Sequence, residues 1–534
     1  MPLYNGSNTA AGVYGGEEDN SFSASSTYAS TGAIVGESNR GPVGIPTEIL
    51  SKASWRSTFG RRDASLTYAH FAAERFLDIA QRLWFVRVDT GANYGSGSFR
   101  TVGSYCTAKA ATEGYLDPVA EHNQLPDEIL FVYAANPGTW NNNLRVLVYP
   151  DTNDTENELF VLQVFETNFS NPVETYRGTL RDKTDGTNKQ LNIEYQLENG
   201  DSRIRAKINE SHPDWIKTNG ASRTINAIST VDITYGDNGA KATAGDIISG
   251  WEMFDNDDDY EVRILINAGY TDAGVQQAML QLAEARRDCF AILDMPPEYR
   301  SATKAVEYRR NILNADTSFG AIYSNYIKEK TDEGQEILVP SSGAIAGVYA
   351  QSDAAEAVWF APAGVVRGVI DGIVGLSDKY SQNERNLLDA NQINYIHKFS
   401  GYGYSVWGAL TLQSAKSALQ DIPVRRLVNQ IETTAKYDVL VGLFDPNDEY
   451  LQKQLKGVVE AILRPIMNGR GLYYYAVKCD SDLNTPDIVA GGDLILLYII
   501  EPTRYAKRIL FTATVAATGQ MSTAVQYVTT NTTL

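Results

Sequence analysis

The sequence predicts a multidomain protein of mixed α/β and α+β type: a discontinuous α/β core, a β-rich inserted domain, and a C-terminal α+β domain with an extended arm at each end of the chain. Three observations carry this. From 262 onward, VRILINAG, DAGVQQAMLQLAEARRD and CFAILDMPP read as strand, helix, strand, the order of a parallel βαβ unit with a right-handed crossover. Between about 96 and 255 the pattern changes to short alternating runs such as EILFVYAA, LRVLVYP, ELFVLQVFE and LNIEYQLE, separated by Asn, Gly, Asp and Thr, which reads as antiparallel β. A chain of 534 residues is also long enough for roughly three or four cores.

Taken in order, residues 1–32 are rich in Gly, Ser, Thr, Asn and Ala and lack the apolar surface to fold alone, so they form an arm. The first part of the core spans 33–95. It holds a strand at Ala33–Val35, a helix in SLTYAHFAAERFLDIAQ with Phe71, Phe76 and Ile79 at helical spacing, and a strand in LWFVRV. The insertion occupies 96–255 and the second part of the core 256–415, where Val275, Ala278, Met279 and Leu282 share one helix face. A C-terminal domain spans 416–518. Val424, Leu427, Val428 and Ile431 form the face of its first helix; its second carries a stripe of Leu451, Leu455, Val458, Val459, Ile462 and Ile466, with Asn447 as N-cap and Asn468-Gly469 as the stop. LYYYAVKC and LILLYII supply a small sheet. The end, 519–534, contains STAVQYVTT, strand-forming sequence with no neighbour along the chain to pair with.

Charge and motifs narrow the function classes. The net charge is −19, which repels nucleic acid and anionic membrane. Residues 113–261 hold 27 acidic and 11 basic side chains, a net of −16, so this segment is expected to face solvent. The three cysteines, Cys106, Cys289 and Cys479, have no metal or disulfide spacing. The N-terminus lacks the basic start and apolar run of a signal peptide, and LILLYII is too short to span a bilayer, so neither export by that route nor membrane insertion is expected. GYGYSVWGALTL at 401–412 spaces its glycines unlike a dinucleotide fingerprint, and no convincing helix start follows. DNDDDYE at 255–261 has alternate carboxylates but Tyr260 where a calcium loop needs glycine. Asp294 ends a probable parallel strand, the place where an α/β enzyme would put a carboxylate, and it anchors the alternative reading of a nucleotide-using enzyme. None of the four histidines sits in a hydrolase motif. No catalytic, cofactor-binding or metal-binding residues are expected.

Several motifs in a fixed order carry a resemblance: AGVY (11–14), GESNRGP (36–42), VPSSGAIAGVYAQSD (339–353), VWFAPAG (358–364), INYIHKFSGYGYSVWGALTL (393–412), IPVRRL (422–427), LFDPND (443–448), VKCDSDLNTPDIVAGGDL (477–494) and IEPTRYAKRI (500–509). Together they resemble the contractile tail sheath proteins of bacteriophages and related injection machines. Gly401, Gly403, Trp407, Gly408, Arg425 and Arg426 match the family motifs. His397, Tyr402, Ser405 and Leu410 stand where basic residues are usual, and Ser400 where proline is usual. The insertion has no clear match.

The resemblance implies a structural, non-enzymatic subunit that needs no cofactor. It would polymerise with copies of itself into a helix around an inner tail tube, in a metastable extended state, and contract to drive the tube through the host envelope for genome delivery. Baseplate and tail terminator proteins would be its further partners, and neither nucleic acid nor membrane would be bound. The location implied is the virion tail, assembled in the host cytoplasm; a phage-derived bacteriocin or injection device is the alternative. The resemblance also implies strand exchange between neighbours through the two arms, with Val13 and Tyr14 at one end and Val525, Tyr527 and Thr529 at the other. Trp407 is expected to anchor the core beside the glycine turn. Lys453, Lys456, Glu460 and Arg464, opposite the apolar stripe, are candidates to face the tube.

Overall fold

The computed structural model describes residues 30–62, 68–102, 105–122, 126–154, 158–167, 170–212, 225–332 and 334–509. The chain enters through strand β1 (Gly32–Gly36), β2 (Thr47–Ile49), helices α1 (Lys52–Thr58) and α2 (Ala69–Leu77), and β3 (Leu83–Arg87). It then builds the insertion from β4 (Ser96–Val102), β5 (Tyr105–Ala110), β6 (Glu128–Ala134), β7 (Leu144–Pro150), β8 (Phe160–Glu166), β9 (Glu174–Gly178), α3 (Ile193–Asn199), β10 (Ile204–Ile208) and β11 (Ser229–Asp232). Back in the core follow α4 (Ala244–Glu252), β12 (Ile264–Ile266), α5 (Ala273–Arg286), β13 (Phe290–Asp294), α6 (Ala302–Glu307) and β14 (Gly320–Tyr323). Then come β15 (Ile327–Lys330), β16 (Glu336–Val339), α7 (Ser342–Ala355), β17 (Gly375–Leu376), α8 (Gln382–Ala390), β18 (Ile393–Phe399) and β19 (Gly403–Trp407). The C-terminal unit is α9 (Ile422–Val439), α10 (Glu449–Asn468), β20 (Leu472–Lys478) and β21 (Leu497–Pro502).

One eight-stranded sheet, ordered β19-β18-β14-β13-β12-β1-β3-β2, unites segments separated by the whole insertion. β1 lies parallel between β3 and β12, with Ile34 opposite both Phe85 and Ile266. Its five residues are all buried, as a central parallel strand covered on both faces requires. Gly32 is needed there because a Cβ would lie 2.7 Å from the Phe76 ring. On one face α1, α2 and α7 contribute Trp55, Phe71, Phe76 and Tyr349; on the other α4, α5 and α8 contribute Trp251, Met279 and Leu388. The result is a three-layer helix, sheet, helix core.

The insertion forms two four-stranded antiparallel sheets, β10-β6-β4-β5 and β11-β7-β8-β9, with Phe99, Leu130, Val132, Val146, Leu162 and Val231 in a core of its own. LNIEYQLE corrects one expectation: 193–199 is helix α3, not a strand. Asn192 caps it through Tyr195 N, and Ile193 and Leu197, four apart, are the two residues it buries. The expected boundary at 255 also shifts. α4 buries Ile247 and Trp251 in the same cluster as Val35 and Val86, so 244–252 packs as part of the core.

In the C-terminal unit α9 and α10 pack on the two-stranded sheet β20-β21, burying Leu427, Ile431, Val459, Leu463, Ile466, Leu472 and Val477. α10 begins one residue later than expected: Asp448, not Asn447, is the N-cap, and its Oδ1 accepts from Tyr450 N and Leu451 N. Asn447 instead donates to Asp493 O, tying the helix start to the loop before β21. Among the described residues no helix is long and apolar enough to cross a membrane.

Candidate assembly interface

The C-terminal unit is joined to the core through the motif residues at 401–427. β18 and β19 form a hairpin with Phe399 opposite Gly403. Gly401 (φ 88°) and Gly403 (φ 78°) supply left-handed backbone, and open space surrounds both, so conformation and not packing requires glycine. Gly408 differs: a Cβ there would lie 2.7 Å from Asn394 Oδ1, the atom that accepts from Leu410 N. No helix follows. Residues 409–412 run back extended, with Leu410 bridged to Asp421 and Leu412 N bound to Gly320 O, so the loop offers no helix N-terminus to a phosphate.

Trp407 does not anchor the core as expected. It is 36% exposed and packs on Phe399, 4.5 Å between ring centres, while Val406 beside it is fully buried. The period of two along a strand sends these neighbours to opposite faces. Of the positions that depart from the family's basic pattern, Ser405 and Leu410 are buried, Tyr402 is exposed, and His397 lies 3.5 Å from Arg385. Partial burial first, and then that guanidinium, hold His397 below its ordinary value.

Arg425 and Arg426 fasten α9 to the core. Arg426 makes a two-pronged ion pair with Asp353 on α7, Nη1 to Oδ1 at 2.9 Å and Nη2 to Oδ2, and lies 4.8 Å from the Tyr349 ring. Both partners are buried. Burial raises the Asp353 carboxyl above its ordinary value, and Arg426 opposes that rise. Arg425 sits 4.3 Å from the Phe319 ring and donates from Nε to Asn429 Oδ1, while Asn429 Nδ2 donates to Cys289 O. At the start of α9, buried Asp421 accepts from Arg504 Nε (2.7 Å) and ion-pairs with Lys507 Nζ (2.8 Å), and Tyr505 OH donates to Ala409 O. The motif IEPTRYAKRI therefore returns to the joint. Sequence reading quoted Asp353 within its motif and missed its partner, and it missed Asp421 altogether; a buried acid has no local signal when its cation is 73 or 83 residues away.

The carboxylate considered for catalysis is structural. Asp294 is fully buried and accepts from Ser342 N (2.8 Å), Ser342 Oγ (2.6 Å) and Gly269 N (3.1 Å). It serves the start of α7, whose N-cap Ser341 makes no side-chain cap. Burial pushes its carboxyl up to about 6. In the acidic turn Asp257 pairs with Lys436 at 2.5 Å, and no group of residues that could hold a metal ion occurs among the described residues.

The outward surface of the C-terminal unit is apolar in three places. The α9–α10 turn exposes Leu440, Val441, Leu443, Phe444 and Tyr450, with Phe444 wholly in solvent at a left-handed φ of 68°. The outer face of the small sheet exposes Tyr474, Leu497 and Ile499. Finally, β20 and β21 pair only with each other among the described residues, so each presents an open edge.

Tail sheath proteins are similar to this chain. Residues 240–412 match the family model of the phage tail sheath protein central domain. This stretch resembles a tail sheath central domain. It contains Asp294, Asp353 and the glycine hairpin, and it is followed directly by the joint. Curated proteins similar to this chain include the tail sheath protein of Enterobacteria phage T4, 28% identical over 302 residues that cover 52% of this chain and 46% of the relative. The tail sheath protein of a Vibrio phage, KVP40, is 30% identical over 194 residues, 36% of this chain and 29% of the relative. The chain thus spans less than half the length of these relatives. Crystal structures of sheath tail proteins from Listeria innocua (12% identity, TM-score 0.58, 89% of this chain and 95% of that one) and Desulfitobacterium hafniense (11%, 0.56, 92% and 100%) share its fold. Both of these phage relatives are named tail sheath proteins.

The tube-facing candidates are all on α10. Lys453 pairs with Glu449 at 3.2 Å and Lys456 with Glu460 at 3.9 Å, each one turn apart, while Arg464 is exposed. Val13, Tyr14, Val525, Tyr527 and Thr529 lie outside the described residues.

Proposed function

We propose that the chain is the structural subunit of a contractile tail sheath. It polymerises helically around an inner tube in a metastable extended state and contracts to drive the tube through a host envelope for genome delivery. The observation that carries this reading is the two-stranded sheet β20-β21, whose edges are open among the described residues, in a chain whose two ends are strand-forming in sequence. Strands from the arms of neighbouring copies, around Val13-Tyr14 and Val525, Tyr527 and Thr529, complete that sheet and keep the lattice connected while rigid subunits rotate. The exposed apolar turn at 440–450 supports an assembling protein over a monomeric one.

Lys453, Lys456, Glu460 and Arg464 then face the tube in a polar contact that can be released. The insertion projects outward as a soluble, acidic surface. Baseplate and terminator proteins bound the polymer, which is built in the host cytoplasm as part of the virion tail; in a phage-derived injection device the same polymer would drive a tube without a genome. Negative-stain microscopy of the purified protein tests the reading: hollow striated tubes are expected, and removal of 519–534 should abolish them while leaving a folded monomer. Monomers whose stability depends on a nucleotide would overturn it.

A further inference from the structure

The insertion meets the core at three places, each built from backbone or buried polar contacts. The chain's outward and return crossings are paired like a ribbon: Thr90 bridges Ala240, Asn93 bridges Asp237 and Ser96 bridges Thr234, all antiparallel. Gly239 belongs there because a Cβ would lie 2.4 Å from Thr90 O. Arg87, at the end of strand β3, is 1% exposed; its Nη1 donates to Gly41 O (2.8 Å) in the loop after β1 and to Pro137 O (3.0 Å) in the loop between β6 and β7. No carboxylate lies within ion-pair distance of it among the described residues, so its hydrogen bonds go to two carbonyls, one from the core and one from the insertion, while Asp89 attracts the guanidinium at longer range. Arg40, in the same core loop, donates to Glu166 Oε1 at the end of β8 (2.9 Å) and to Arg56 O on α1 (2.9 Å). Between these, Asn39 O would lie 2.8 Å from a Cβ on Gly138, so the two loops touch backbone to backbone.

We infer that the insertion is clamped, not hinged: it turns with the core as one body, and Arg87 is the positioning residue of the clamp. Domains within a chain ordinarily move relative to each other unless their contact is extensive. Here two crossings, one buried guanidinium and one ion pair remove the usual freedom. If the proposed contraction rotates the core, the acidic surface is carried through the same rotation, and what it presents to solvent changes with the state of the lattice; that consequence rests on the sheath reading, whereas the clamp does not.

Paired spin labels test the clamp in the full-length chain. The labels go on cysteines replacing exposed Lys189 in the insertion and exposed Lys304 in the core; the native Cys106, Cys289 and Cys479 are buried. The wild-type clamp should give one narrow distance distribution. Arg87→Met combined with Glu166→Gln should broaden it at least about twofold with the secondary structure unchanged, as for domains released to move independently. Arg87→Lys, which still donates to carbonyls, should stay narrower than Arg87→Met. A broad wild-type distribution, or unchanged width in the double variant, overturns the inference. Should Arg87→Met fail to fold, Arg87→Gln takes its place beside Glu166→Gln, and an unchanged width there overturns the inference equally.

Discussion

Asp353 and Arg426 show what a single buried pair decides at the joint. Each alone is an uncompensated charge in the core, so Asp353→Asn or Arg426→Met should lower stability by about 3–5 kcal/mol in denaturant titrations. The double variant Asp353→Leu/Arg426→Met should recover much of that loss, because no buried charge remains. Asp294 makes a pH prediction. Its folded value, about 6, lies above the ordinary value of 3.8, so the native state holds the proton longer than the unfolded chain does. Its contribution to stability is therefore full below about pH 4 and is lost as pH rises from about 4 to about 6. Asp294→Asn should remove that part of the slope when stability is measured across this window against wild type.

Two elements separate conformation from packing. Gly401→Ala and Gly403→Ala place a side chain in open space but at positive φ, and should each cost about 1–2 kcal/mol in thermal unfolding. Gly408→Ala adds a collision with Asn394 and should cost more than either. On α10, Lys453 and Lys456 are spent on exposed pairs one turn apart, each worth only about 0.3–0.5 kcal/mol to the helix. Neutralising both should leave the fold intact. Co-sedimentation with inner tubes should then weaken, most clearly at low salt; unchanged binding at several salt concentrations would remove these residues from the tube contact. The helix stripe was legible from spacing, yet the same spacing could not tell Asn447 from Asp448 as the cap, since both side chains can accept from the first turn.

At the scale of the whole molecule, the ribbon at 90–96 and 234–240 defines where the insertion can be removed. Excising 91–239 and closing the gap with a short flexible linker should leave the eight-stranded sheet intact, because none of its strands lies in the excised stretch. Striated tubes should still form; their loss, seen by microscopy, would mean that the insertion contributes lattice contacts. The βαβ order after 262 and the two-residue alternation between 96 and 255 were readable because each depends on neighbours a few positions apart. α3 was misread for the same reason: a seven-residue segment fits both periods, and only packing of Ile193 and Leu197 together against β10 and β9 chose the helix.

By itself the sequence determined the element types outside α3, the acidic segment, the strand-forming ends and ordered motifs that resemble a sheath family, all of which are properties of composition and local spacing. Only the tertiary structure decided that β1 sits between β3 and β12, that Asp353 and Asp421 are the buried partners of Arg426 and of Arg504 with Lys507, that Trp407 faces out, and that Arg87 ties the insertion to the core. Those facts join residues tens to hundreds of positions apart. The energy that selects them, desolvation balanced by a particular partner, does not exist until the chain has brought them together.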